Sequence, residues 1–303
     1  MITLSNGFSF EECIASGALA FDCLGWPHER PLVWRGLIQP ELCPVVMKTV
    51  TWEPRKGNLC LWKPWTWKCV LPIPGGAINK VGLSNPGVKK WCKKIGPRLD
   101  YQKYAIIGSI FGNMKELIEM AHMMNQFDFK ALEVNYSCPN TEHGLQGAEA
   151  VIASIKAVAE VSRHPIIIKI SVAQDYLAIA KGLKGIAEAI SINSVPFALV
   201  FPGEVSPLLK LSGDGGGGVS GKPAQPLNWK ATRELAEQDC LPVIGPGIME
   251  YEDMETVIKM MGASAVSFGV IHLPTDGEFW KTLFVNPQKP TQFILRKRKE
   301  NNR

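Results

Sequence analysis

Eight short runs of apolar, largely β-branched residues recur along the chain, at 12–15, 44–48, 104–109, 131–135, 165–170, 189–193, 241–245 and 265–269. Most are followed by a polar or glycine-rich loop and then by apolar positions at helical spacing, notably over 114–125, 147–161, 175–185, 228–237 and 251–261. Runs of this length read as buried parallel strands, and their alternation with helical patterns predicts repeated β/α units. Eight such units predict an α/β fold closed into a (β/α)8 barrel.

In that architecture chemistry gathers at the carboxyl ends of the strands, so the residues that end the runs belong together. They are polar: Ser16, Lys48, Thr49, Asn135, Lys169, Asn193 and Ser194. One such residue is explained equally well as a cap on the next turn. A set of them at corresponding places is not, because a buried amide or ammonium without a partner costs several kcal/mol, roughly 2–7.

Two stretches interrupt the alternation, 56–85 after the second run and 203–226 after the sixth. Both read as long loops without regular structure, which in compact domains are functional or disordered. Six of the nine tryptophans, at 26, 34, 52, 62, 65 and 67, fall in the first quarter of the chain. That concentration fits a protein interface, and equally a satellite core beneath the long loop.

The 303 residues are 46% hydrophobic and 20% charged, enough for one large core and unlike a disordered composition. Of the net charge of +5, most sits in the last eight positions, which hold five of the basic residues and one acidic residue. The rest is nearly neutral, which weighs against a nucleic-acid-binding face. A single barrel is expected over 1–290, with 291–303 a solvated basic tail. The charge-free stretch 189–203 is too short to span a bilayer and contains Pro196 and Pro202, so no membrane association is expected. The eight cysteines form no C-x-x-C pair, no histidine cluster has zinc spacing, and no metal site is expected. Residues 1–7 do not read as a secretion signal, so a cytoplasmic location with reduced thiols is expected.

Three features carry chemistry. The glycines from Gly215 to Gly218, followed by Val219, Ser220 and Gly221, offer close backbone approach and several amide N–H groups, as a phosphate requires. Gly245 and Gly247 close the seventh run and Gly269 the eighth, where barrels of this kind hold phosphates. Cys138, between Asn135 and Asn140 and next to Pro139, puts a thiol on an active-face loop. With an ordinary pKa of about 8.5, a thiol there needs little perturbation to serve as a general base. Lys48 and Lys169 bring positive charge to the mouth, suited to an electron-rich ring or a carboxylate.

At these residues the chain resembles the dihydroorotate dehydrogenases, flavin barrels of pyrimidine biosynthesis, from about Ser9 to Leu273. The resemblance is carried by Ala15-Ser-Gly17, by Lys48-Thr49 with Glu53-Pro-Arg-Lys-Gly-Asn58, and by Asn79-Lys-Val-Gly-Leu-Ser-Asn85. It continues in Asn135-Tyr-Ser-Cys-Pro-Asn140, Gly217-Gly-Val-Ser-Gly221 and Gly262-Ala-Ser-Ala265. It implies a TIM barrel with long insertions after strands 2 and 6, binding FMN across its mouth. The FMN phosphate would lie near Gly221, Gly245, Gly247, Gly269 and Val270, and its ring near Ala15, Ser16, Lys48, Thr49, Asn135 and Lys169. Dihydroorotate would be held by Lys48, Asn79, Gly82, Leu83, Asn135, Asn140, Asn193 and Ser194.

Cys138 would be the base, as in the soluble, cysteine-using class of the family. The pattern Thr141-Glu-His-Gly-Leu-Gln146 is closest to the NAD-linked, partner-dependent subclass, which implies a homodimer associated with an iron-sulfur flavoprotein subunit. The chain departs from the family pattern at Ile248, commonly a second glycine, at Val270, commonly a threonine, and in the Trp-rich loop after residue 58. Three other readings stay open at this point: a related flavin barrel acting on another dihydropyrimidine, a non-catalytic FMN-barrel subunit of a larger complex, and a flavin-free aldolase or isomerase.

Overall fold

The structure, a computed structural model, describes residues 1–27, 29–60, 63–137, 147–193, 195–213, 215–272 and 288–302. Its centre is a closed barrel of eight parallel strands: β1 (Glu12–Ile14), β2 (Val45–Val46), β3 (Ile106–Ile110), β4 (Ala131–Asn135), β5 (Ile166–Ile170), β6 (Ala189–Ile192), β7 (Val243–Gly245) and β8 (Ala265–Phe268). Each pairs with its neighbour in sequence, and β8 closes on β1 with Val266 opposite Glu12. All eight apolar runs are therefore barrel strands.

Side chains alternate between the two faces of a strand, and this period organises the interior. One residue of each strand, namely Cys13, Val46, Ile107, Ala131, Ile167, Ala189, Ile244 and Ala265, belongs to a small apolar core inside the barrel. Ile2, Leu4 and Phe10 join it from the antiparallel pair Ile2–Thr3 and Ser9–Phe10. Two residues further along the strands the same inward face carries Lys48, Ser109, Glu133, Lys169, Ser191 and Ser267, all buried. An apolar floor is thus overlaid by a polar layer. The outward residues, among them Ile106, Ile110, Leu132, Val134, Ile168 and Ile170, pack into the main core with the surrounding helices. Each such side chain, fully buried, contributes about 1.5–3 kcal/mol.

The helices follow local rules. In the helix Met114–Met124, Asn113 accepts from Glu116 N while Glu116 accepts from Asn113 N, each at 3.0 Å, a reciprocal cap on the first turn. Leu117, Met120, Ala121 and Met124 then fall on one buried face. The expected helix over 251–261 is α-helical only at Tyr251–Glu255 and continues as a π-helical turn, Thr256–Met260.

Two expectations are corrected. The insertions after the second and sixth strands are not structureless. Val70–Ile73 and Gly76–Asn79 from the first join Val195–Pro196 and Gly218–Gly221 from beyond the sixth strand in one antiparallel sheet. Lys80 fastens the insertions together: fully buried, its ammonium donates to the carbonyls of Leu211 at 2.9 Å and Gly215 at 2.8 Å. Two stretches remote in sequence can supply strands to each other, which reading each alone does not reveal. This sheet has its own core, including Ile78, Val195, Phe197, Leu208 and Val219, with no tryptophan among the described residues. Trp34, Trp65 and Trp67 are exposed and Trp52 packs on the main core, so the satellite-core reading fails for them, while Trp62 lies outside the described residues.

The second correction concerns the basic end. Residues Lys289–Asn301 form a helix that docks through part of one face, so the described part of the basic end, through 302, is not simply a solvated tail, and position 290 falls inside an element. Pro290, Thr291 and Ile294 are buried against the barrel, and Lys297 donates to Glu11 at 2.7 Å and also to Glu12. The cations suggested solvation, but they meet carboxylates at the amino end of β1.

The hydrogen bond from Lys297 holds the Glu11 carboxyl below its ordinary value of 4.5. Because the folded group titrates below the unfolded one, the pairing stabilises above about pH 4.5 and its contribution is lost as pH falls through the lower folded value. Lys297→Met is therefore expected to lower the melting temperature at pH 7. The gap from wild type should close in acid. A gap that persists unchanged below the folded titration would contradict this pairing as its source.

Candidate active site

The polar layer forms a continuous hydrogen-bonded row across the carboxyl end of the barrel. Lys169 on β5 donates to Ser16 Oγ at 3.2 Å, and Ser16 Oγ lies 3.3 Å from Thr49 Oγ1. Thr49 is the hub, 2.8 Å from Ser109 Oγ and accepting from Asn135 Nδ2 at 2.9 Å. Ser109 in turn donates to Glu133 Oε1 at 2.8 Å. Asn135 is oriented from its other end, because Oδ1 accepts from Ser137 N at 3.0 Å and Ser137 Oγ at 2.8 Å. Five barrel strands or their ends thus contribute to one network.

The row brings together Ser16, Thr49, Asn135 and Lys169 as the sequence predicts, beside Ala15, whose N–H donates to Phe268 O at 2.8 Å. Lys48 is buried on the same inward face, with its ammonium 5.8 Å from the centre of the Phe21 ring. Ser109 and Glu133 are members of the row that the reading of strand ends missed. Their signal was available: each is a polar residue at an inward, alternate position of an otherwise apolar strand. Cys13 shares this interior, but burial, and then the negative charge of Glu133, push its thiol far up, so it stays protonated and unreactive.

Asn79, Gly82 and Leu83 lie on the segment that leaves the antiparallel sheet. Asn79 sits opposite Gly218 and donates to its carbonyl at 3.4 Å. Gly82 and Leu83 have φ of 69° and 53°, and a leucine in that region is an uncommon, strained choice. The segment is pinned by Asn58 N to Val81 O at 2.9 Å and by Asn85 Nδ2 to Leu83 O at 2.7 Å. Asn193 follows β6 and donates its N–H to Ile170 O at 3.0 Å. Cys138, Asn140 and Ser194 lie outside the described residues.

The predicted phosphate glycines differ in what keeps them bare. A Cβ on Gly245 would stand 2.3 Å from Val257 Cγ1, so helix packing accounts for it. Gly221 and Gly247 have φ of 92° and 87°, where a side chain is strained. Gly269 needs neither explanation, since its added Cβ would meet only Ala15 Cβ at an ordinary 3.5 Å. The strand Gly218–Gly221 lies against the turn Val270–His272, and Gly247 adjoins Gln225, at the start of the helix that follows Gly221. Four of the five predicted positions therefore share one region. Ile248 does not disturb it: it is 1% exposed and belongs to the main core with Met254 and Val257.

An eight-stranded β/α barrel whose mouth combines a buried cation, an oriented amide and a glycine-lined edge has the architecture on which enzymes build their sites. A family profile described as Dihydroorotate dehydrogenase matches residues 36–282. The catalytic subunit of dihydroorotate dehydrogenase B (NAD(+)) of Desulforudis audaxviator is 35% identical over 244 residues, 77% of this chain and 76% of that one. The corresponding subunit of Streptococcus pneumoniae is 28% identical over 236 residues, 74% and 73% of the two chains. A protein of Aeropyrum pernix provisionally named dihydroorotate dehydrogenase A (fumarate) is 31% identical over 254 residues, 81% and 78%. The chain belongs to the dihydroorotate dehydrogenase family, a flavin-dependent family of oxidoreductases. No helix among the described residues is long and apolar enough to cross a membrane.

Proposed function

We propose that this chain oxidises dihydroorotate to orotate, with FMN at the barrel mouth and Cys138 as the base. The observation that carries the reading is the row through Ser16, Thr49 and Asn135 to Lys169. Among the described residues the buried Lys169 ammonium has one hydrogen-bond partner, a neutral hydroxyl, which leaves donor capacity for an electron-rich ring. On β8, Ser267 Oγ is buried with no partner among the described residues. With the open backbone at Gly269, these features fit FMN. Amides near Gly221, Gly247, Gly269 and Val270 would hold its phosphate, and Ala15, Ser16, Lys48, Thr49, Asn135 and Lys169 its ring.

FMN supplies the acceptor for the two electrons that leave as hydride. The protein's part is positioning and proton transfer. Cys138 Sγ takes the proton from the carbon adjacent to the one that loses hydride, so the ring carbon-carbon bond becomes double. Lys48, Asn79, Gly82, Leu83, Asn135, Asn140, Asn193 and Ser194 would orient the substrate, their amides matched to the donors and acceptors of a pyrimidine. Lys169 places positive charge where negative charge accumulates.

Relatives named as catalytic subunits support a partner subunit. We assign that role to an iron-sulfur flavoprotein in an NAD-linked complex built on a cytoplasmic homodimer. The exposed Trp65 and Trp67 suit such a contact. The purified protein is expected to be yellow and to be bleached anaerobically by dihydroorotate. A yellow protein bleached faster by dihydrouracil than by dihydroorotate would redirect the assignment to another dihydropyrimidine.

A further inference from the structure

The two ends of the row leave little freedom to the hydroxyls between them. An ammonium only donates and a carboxylate only accepts, and each hydroxyl has one hydrogen to give. Ser109 gives its hydrogen to Glu133, so its oxygen accepts from Thr49. With that hydrogen committed, Thr49 Oγ1 accepts from both Asn135 Nδ2 and Ser16. Ser16 then accepts from Lys169. Every hydroxyl turns its hydrogen toward Glu133 and its lone pairs toward the mouth.

Glu133 is 3% exposed and Lys169 5%, so water screens neither charge well, and successive hydrogen bonds in such a row polarise one another. Glu133 itself stands off the mouth, two positions before Asn135 and behind Ser109. It belongs to no set of substrate or ring contacts described above.

We propose that Glu133 is a positioning residue: acting through Ser109, Thr49 and Ser16, it fixes the direction of the hydrogen bonds behind the bound ring and offsets the Lys169 charge there, thereby setting the reduction potential of the flavin. This rests on the reading of the mouth as a flavin site. The carboxylate and the inward-turned hydroxyls both make the mouth less positive than Lys169 alone would, and so disfavour negative charge on a reduced ring. Neutralising Glu133 while keeping an acceptor for Ser109 should therefore raise the potential. Breaking the row at Ser109 should move it the same way by less, because the charge remains.

The test is a reductive titration of flavin-loaded wild type, Glu133→Gln and Ser109→Ala against a reference dye, with dithionite as reductant, so that no dihydroorotate is required. The expected result is a midpoint potential more positive in Glu133→Gln than in wild type, with Ser109→Ala between them. A structural role alone would lower the melting temperature and leave the potential in place. If Glu133→Gln does not fold, Ser109→Ala decides by the same readout. Unmoved or more negative potentials in yellow, folded variants overturn the proposal. A wild type that takes up no flavin overturns both it and the assignment of the mouth, whereas a yellow wild type inert to dihydroorotate overturns only the substrate.

Discussion

Cys138→Ala is expected to retain FMN and to be bleached by dihydroorotate about a hundred- to ten-thousand-fold more slowly than wild type, the range over which a positioned general base contributes. The reasoning is chemical. Hydride departs readily from a saturated carbon only if the neighbouring proton has somewhere to go, and Cys138, in the motif that follows β4, is the base the sequence reading offers for it. Asn135 closes β4 with its amide held at both ends, so the chain leaves the barrel at a fixed orientation just before Cys138. Since the base acts in its deprotonated form, the wild-type rate should climb with pH as thiol becomes thiolate, and the alanine variant should lack that limb. Stopped-flow absorbance across pH provides the measurement. Equal bleaching rates in variant and wild type would remove the thiol from the mechanism.

Much of the fold was legible because its signals are local. A barrel strand must be short and apolar, each of the eight runs satisfied this without reference to any other, and most were followed by a helical pattern. The insertions were illegible for the opposite reason. Gly76–Asn79 pairs with Gly218–Gly221 across about 140 residues of sequence, and the ammonium that binds the two insertions, Lys80, looks like any surface lysine until its carbonyl partners are known. The same holds for the helix Lys289–Asn301, whose charges read as solvated until Glu11 and Glu12 are placed beside Lys297.

Within the site, the sequence marked polar residues at strand ends, where the barrel rule directs attention, and passed over Ser109 and Glu133, which share the inward polar layer with Lys48 and Lys169. Strand alternation would have found them. Inward positions two apart along β4 are Ala131, Glu133 and Asn135, a succession from small and apolar through charged to amide. It matches the passage from packed floor to reactive mouth.

That succession leads to the second large effect. Lys169→Met is expected to slow bleaching by dihydroorotate about a hundred- to a thousand-fold, the loss typical when one group stabilising developing charge in a desolvated site is removed. The substitution keeps most of the apolar stem, which leaves β5 between Ile168 and Ile170, so packing changes little while the charge disappears. It also leaves Glu133 buried without its counter-charge, and an uncompensated buried carboxylate disfavours further negative charge nearby. The flavin midpoint potential should accordingly fall, opposite in sign to the shift expected for Glu133→Gln. Dihydroorotate binding, carried by other side chains, should weaken much less than the bleaching rate falls, and single-turnover traces at rising dihydroorotate concentration separate the two. If the saturating rate were unchanged and only the concentration dependence moved, Lys169 would be a substrate-binding residue, and the positive charge at the barrel mouth would have to be supplied by Lys48.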